Sequence, residues 1–295
     1  MTYILENRGF GITAVVVGET DKAELSFILE TGIDSIELNY AKGWQGRSFD
    51  ALRGLRKIRS LALLPEEEAS IEPVNSLVGL QRLYVGRAVN GELNLRSFPE
   101  LHELRINFSR KLSIIWLEDA AELQCLVANL PVKYWKSLRS LPNLVDVGLI
   151  FSGKCDSLPG NTLPLALRSL SLARFSNMTS ISKIEELENL RLLDMENCKK
   201  IYDFSAIKNL CKLECLTLCD CGLIRDLKFS ARLQNLRALT LNGDSLVEDG
   251  NLDNILKLPK LEYLAIVAKQ HYSLGHAELH KGDNLADLRE NIKAW

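Results

Sequence analysis

This 295-residue sequence predicts an α/β solenoid: a right-handed superhelix with a curved parallel sheet of about 12 strands, returned by 3₁₀ or short helical arms on the convex side. Three observations predict it. An apolar-x-x-apolar-x-apolar unit recurs along the chain. Successive copies stay 21–25 residues apart. The arms that join them carry apolar residues at a spacing of three.

The clearest copies are Leu167-x-x-Leu170-x-Leu172, Leu213-x-x-Leu216-x-Leu218 and Leu236-x-x-Leu239-x-Leu241; Leu190-x-x-Leu193-x-Met195 and Leu261-x-x-Leu264-x-Ile266 share the form. The first apolar position also falls at Ile33, Ile58, Leu80, Leu101, Leu123 and Leu144, which makes eleven copies. A twelfth is read at Ile12-x-x-Val15-x-Val17. Alternation with period two is a short strand, with apolar side chains turned inward and the rest outward. The arm between Leu190 and Leu213 carries Ile201, Phe204, Ile207 and Leu210, a spacing of three that suits 3₁₀ turns. One such unit has too little apolar surface to form a core alone, so stacking of neighbours creates it.

These residues resemble the leucine-rich-repeat family, whose pattern L-x-x-L-x-L-x-x-N/C-x-L is matched best from Leu167 to Ile266. The short repeat looks most like the internalin type. In the family the ninth position is Asn or Cys, bonding backbone in the turn. Cys198 and Cys221 match it, Asp244 is a fair substitute, and Ala41, Glu66, Ala88, Pro131, Phe175 and Lys269 depart from it. Irregular turns are therefore expected in the N-terminal half, including the insert from Pro65 to Pro73. The resemblance implies binding of another protein on the concave face.

The expected organisation is a single domain over 1–295: an N-terminal cap (1–32), repeats (33–268) and a C-terminal cap (269–295). Asp21–Thr31 reads as an amphipathic helix capped by Asp21 and ended by Gly32, with Leu25, Ile28 and Leu29 on one face. Asn284–Trp295 reads as a second capping helix. Net charge is −2, without the basic excess of a nucleic-acid binder. No apolar run approaches the roughly 20 residues of a membrane span. The N-terminus lacks signal-peptide features, and the seven cysteines show no disulfide framework. A cytoplasmic protein with neither nucleic-acid nor membrane partners is expected.

Chemical motifs are sparse. Cys215 and Cys219 face outward on one strand, but four residues at about 3.3 Å each hold them too far apart to share a metal ion. His276 and His280 are an i, i+4 pair with His271 nearby, yet the sequence between them is not H-E-x-x-H. No phosphate-binding loop or nucleophile elbow occurs. The expectation is a non-enzyme without cofactors. The alternative is an enzyme subunit or metal-binding protein with a site near the C-terminal histidines.

The repeat register assigns the concave face, on the order of 50 Å long for twelve strands. That is room for a folded protein domain, and a poor shape for enclosing a small molecule. The partner-binding candidates are Tyr40, Trp44, Arg82, Tyr84, Arg87, Glu103, Arg105, Phe108, Phe151, Arg174, Asp194, Glu196 and Asp220. Arginine and aromatic residues gather near Arg82–Phe108, and acids near Asp194–Asp244. Tyr, Trp and Arg are enriched at binding hot spots. A sharper form of this expectation is an inhibitor or immunity protein that neutralises a toxin enzyme, its acidic stretch covering a basic active site.

Overall fold

The computed structural model describes residues 2–150, 155–158 and 161–293. The chain forms two compact units, one ending at Leu144 and the other beginning at Val145.

The first unit carries strands Thr2–Arg8, Gly11–Val17, Ser35–Asn39, Ser60–Leu64, Arg82–Val85, Glu103–Ile106 and Cys125–Ala128, side by side in chain order. All are parallel except the first pair, an antiparallel hairpin. Leu61, Leu83, Leu104 and Leu126 stand at matched register, each 2% exposed or less. The second unit repeats the plan with Asp146–Ile150, Ser169–Ala173, Leu192–Glu196, Cys215–Cys219, Ala238–Asn242 and Tyr263–Ile266, closed by antiparallel His280–Lys281. Six parallel strands in each unit match the expected 12, and the antiparallel strand at each end is additional.

Eleven copies keep the register read from the sequence. The twelfth does not. Ala14 pairs with Ile36, so the inward residues of that strand are Ala14 and Val16, not Val15 and Val17. Ile12, assigned to its core, is 53% exposed. A slip of one residue flips every side chain, and the unbroken apolar run Ala14–Val17 has no alternation to set the register.

The arms follow their spacing. Ile201, Phe204, Ile207 and Leu210 are buried around the 3₁₀ turn Ser205–Asn209. Helix Lys22–Glu30 begins at Asp21, whose carboxylate accepts the Glu24 N–H while Glu24 accepts the Asp21 N–H. This satisfies two amide donors that a helix start leaves open. No helix among the described residues is long and apolar enough to cross a membrane.

The turns differ between the units. In the second, the eighth position of successive repeats is left-handed: Arg174, Asn197, Asp220 and Gly243, with φ of 63°, 54°, 51° and 61°. The first three donate their N–H to the next strand, at Glu196, Cys219 and Asn242. Cys198 and Cys221 lie one residue further on, their thiols donating to the carbonyls of Leu172 and Met195. The first unit has no such ladder at Tyr40, Arg87 or Phe108. Its turn side forms three short parallel strands, Ala69–Ser70, Val89–Asn94 and Leu112–Ile115, where the second unit has two, Leu223–Ile224 and Leu246–Val247.

Candidate functional site on the outer sheet face

In the first unit the outward side chains of five strands surround a cavity of about 380 Å³. Its floor comes from Ser35, Ser60 and Ala62, and one wall from Arg82, Tyr84, Glu103 and Arg105. The opposite wall is the tip of the N-terminal hairpin, Arg8 and Phe10. The open face expected from the register is thus partly enclosed at this end, because the hairpin extends the sheet and overhangs it.

The charges of this cavity are mostly paired. Glu37, only 5% exposed, accepts from Arg8, from Asn39 at 2.8 Å and from Lys42 at 3.4 Å. Lys42 and Arg8 also meet Glu6, whose carboxyl the Lys42 hydrogen bond holds below its usual range. Arg105 meets Glu103 at 2.5 Å. Arg82 differs. Its guanidinium carbon lies 4.3 Å from the Phe10 ring centroid, and its Nη1 lies 3.4 Å from His102 Nε2. Its Nε, like that of Arg8, is buried without a hydrogen-bond partner. Tyr84 beside it is 42% exposed.

The structure gathers four of the candidates here: Arg82, Tyr84, Glu103 and Arg105. Tyr40 and Arg87 are exposed in turns outside the cavity. Trp44 and Phe108 are corrections. Trp44 is 3% exposed and stacks on Phe49 at 5.7 Å; Phe108 is 9% exposed and stacks on Tyr134 at 5.6 Å. Large aromatic rings in these irregular turns gain more by closing the end of the core than by facing solvent. Phe151 lies outside the described residues. Arg8 and Phe10 were not among the candidates. The Gly9-Phe10-Gly11 turn between two strand-like runs was the signal that marks them.

The acidic face of the second unit is already occupied. Helix Leu285–Lys293 lies across the outward side of its strands. Leu288 and Ile292 pack on Leu192, Cys215 and Ala238, all at outward positions. Arg289 clasps the Asp194 carboxylate with both Nη atoms, and Lys293 reaches Asp146 at 2.8 Å. Lys199 takes Asp244 at 3.0 Å. Asp220 serves the turn, accepting the Asp244 N–H at 3.0 Å. Of the candidates here, Arg174 and Glu196 remain exposed. The expected acidic surface is therefore largely neutralised from within.

Burial beneath this helix pushes the Cys215 thiol up to about 11, and Cys219 is raised by the same cause and by Asp220. Such thiols stay protonated and are poor nucleophiles. At the C-terminal end the His276 and His280 rings are 5.0 Å apart, while His271 is engaged with the Val247 carbonyl. Among the described residues no three His, Cys, Asp or Glu side chains come together as a metal site.

Period, register and turn ladder define a leucine-rich-repeat fold. In sequence the chain matches no family model and no curated protein. Among solved structures it is similar to an internalin (inlF) from Listeria monocytogenes, at TM-score 0.60 and 18% identity over 81% of this chain and 69% of that one. The plant peptide hormone receptor RGFR1, solved in complex with RGF2, aligns at TM-score 0.50 and 19% identity over 90% of this chain, which spans 44% of the receptor. A second Listeria monocytogenes protein, internalin C2, aligns at 0.41 and 18% identity over 70% of this chain and 80% of its own. The fold is the internalin-type leucine-rich repeat.

Proposed function

We propose that this chain is a non-catalytic protein-binding module that uses the outer sheet face of its first unit. The observation that carries this reading is the cluster of Arg82, Tyr84 and Arg105 on adjacent strands around an open cavity. Such residues combine large contact area with directed polar groups, and tyrosine loses little rotamer freedom on binding. The fold neighbours lend support: one is a receptor solved with a peptide hormone.

The finer form of the reading is an inhibitor of a toxin enzyme acting in the cytoplasm. Seven free cysteines, with Cys198 and Cys221 in adjacent turns and unbridged, favour a reducing compartment. An enzyme inhibited in this way would dock on the Arg82 face, because Asp194 and Asp146 are held by Arg289 and Lys293.

The test is a footprint. A partner captured on the immobilised chain is expected to slow amide exchange in Arg82–Val85 and Glu103–Ile106, and Tyr84→Ala with Arg105→Ala to abolish capture at an unchanged melting temperature. A partner whose footprint falls on the turn side overturns the reading. A captured hydrolase that keeps full activity when bound removes the inhibitor form alone.

A further inference from the structure

The geometry points to Arg82 as the anchor of a carboxylate-binding subsite that takes an aspartate or glutamate side chain of a protein partner. The inference rests on the protein-binding reading above and names what the cavity recognises.

Charge selects the ligand. The lining carries three arginines and two glutamates. Arg8 is matched by Glu37 and Glu6, and Arg105 by Glu103. Glu103 stands opposite Arg82 across the strand pair, yet its carboxylate turns to Arg105. Among the described residues Arg82 is left with no carboxylate in an ion pair; its polar neighbour is His102, at 3.4 Å. Its buried Nε–H is unsatisfied. A planar guanidinium with free donors matches a carboxylate through two parallel hydrogen bonds.

Surroundings favour a side chain over a free ion. Phe10 covers the guanidinium, and this desolvation strengthens any charge-assisted bond made there. Ala62, Phe10 and the Tyr84 ring supply apolar surface beside the charge, suited to the methylene groups that carry a glutamate carboxylate.

The test reads Arg82 itself. Protein labelled with ¹⁵N at arginine Nε is titrated with acetyl-Ala-Glu-Ala-amide, with acetyl-Ala-Gln-Ala-amide and with inorganic phosphate at constant ionic strength. The Arg82 resonance is assigned by its loss in Arg82→Lys. A saturable shift with the glutamate peptide is expected, at least tenfold weaker with the glutamine peptide and with phosphate. Arg82→Gln is expected to abolish binding of the glutamate peptide, and Arg87→Gln to leave it unchanged. Equal response to both peptides overturns the inference. Equal response to phosphate makes the site a general anion site and overturns its assignment to a peptide side chain. Because these probes need no protein partner, a silent Arg82 with an intact partner footprint defeats this inference and leaves the protein-binding reading standing.

Discussion

Replacing Ile292 by alanine is expected to release helix Leu285–Lys293 from the second unit and to expose Cys215. Ile292 is fully buried, and its neighbours in that cluster are Leu192, Cys215 and Ala238. Truncating a buried isoleucine to alanine costs about 2–5 kcal/mol. Taking the lower end, about 2 kcal/mol, the released population rises about thirtyfold, since 1.4 kcal/mol is a factor of ten. Cys215 reports that release. Its thiol, displaced from 9.0 to about 11 by burial, holds roughly a hundredfold less thiolate than a free cysteine. Labelling in the docked state is therefore negligible, and labelling after release is fast. Pulse alkylation at pH 8 with peptide mass spectrometry measures each cysteine separately. Exposed Cys211 serves as the accessible reference, and fully buried Cys198 and Cys221 report the repeat core. The expected result is a rise at Cys215 with Cys198 and Cys221 unchanged. Equal acceleration of all three would show that the helix does not open independently. An unchanged Cys215 would show that something other than Ile292 holds it.

Further outcomes follow from the same structure. Trp44→Ala is expected to cost about 3–5 kcal/mol in chemical denaturation because the ring is core, whereas Tyr84→Ala is expected to stay within about 0.5 kcal/mol. Arg174→Gly is expected to stabilise by up to about 1 kcal/mol, since a left-handed non-glycine residue is strained and glycine is not; Asp220→Gly gains less because it also loses the bond from the Asp244 N–H. Cys215 has a folded pKa above its unfolded value, so its contribution is intact below about pH 9 and is lost as pH rises through about 11. Cys215→Ala, which places there the residue that Ala238 supplies one strand over, is expected to flatten the loss of stability between pH 9 and 11, as urea melts would show.

What was legible in the sequence divides along physical lines. Eleven strands were readable because the apolar-x-x-apolar-x-apolar spacing recurs every 21–25 residues, and that period fixes both existence and register even where, as in Cys125–Ala128, the outward residues are also apolar. The strand Gly11–Val17 was readable as a strand but not in register, because Ala14–Val17 is apolar throughout. Trp44 and Phe108 were misplaced because turn residues follow no period, so composition alone suggested a surface. The cover over the second unit was not readable, because the contact that fixes it joins Arg289 to Asp194, 95 residues apart. Local pattern carries no information about such a pair. The amphipathic character of Asn284–Trp295 announced a helix but not which surface it would cover.

The same row of positions explains why one face is covered and the other open. The third position of each repeat points outward. In the second unit it reads Asp146, Ser169, Leu192, Cys215, Ala238 and Tyr263; beyond Asp146, which Lys293 meets, these are small or apolar side chains that an amphipathic helix can sit on. In the first unit it reads Thr13, Ser35, Ser60, Arg82, Glu103 and Cys125, of which all but Cys125 are polar groups that gain nothing from an apolar cover. Burying a polar row without partners is costly, so there the cover is confined to the hairpin tip and each charge seeks a specific counterpart. Arg8, Glu37, Glu103 and Arg105 find theirs within the chain. Arg82 does not, and this leaves recognition to a group brought by another molecule. A paired charge network in which one guanidinium has no carboxylate argues for a selective interface.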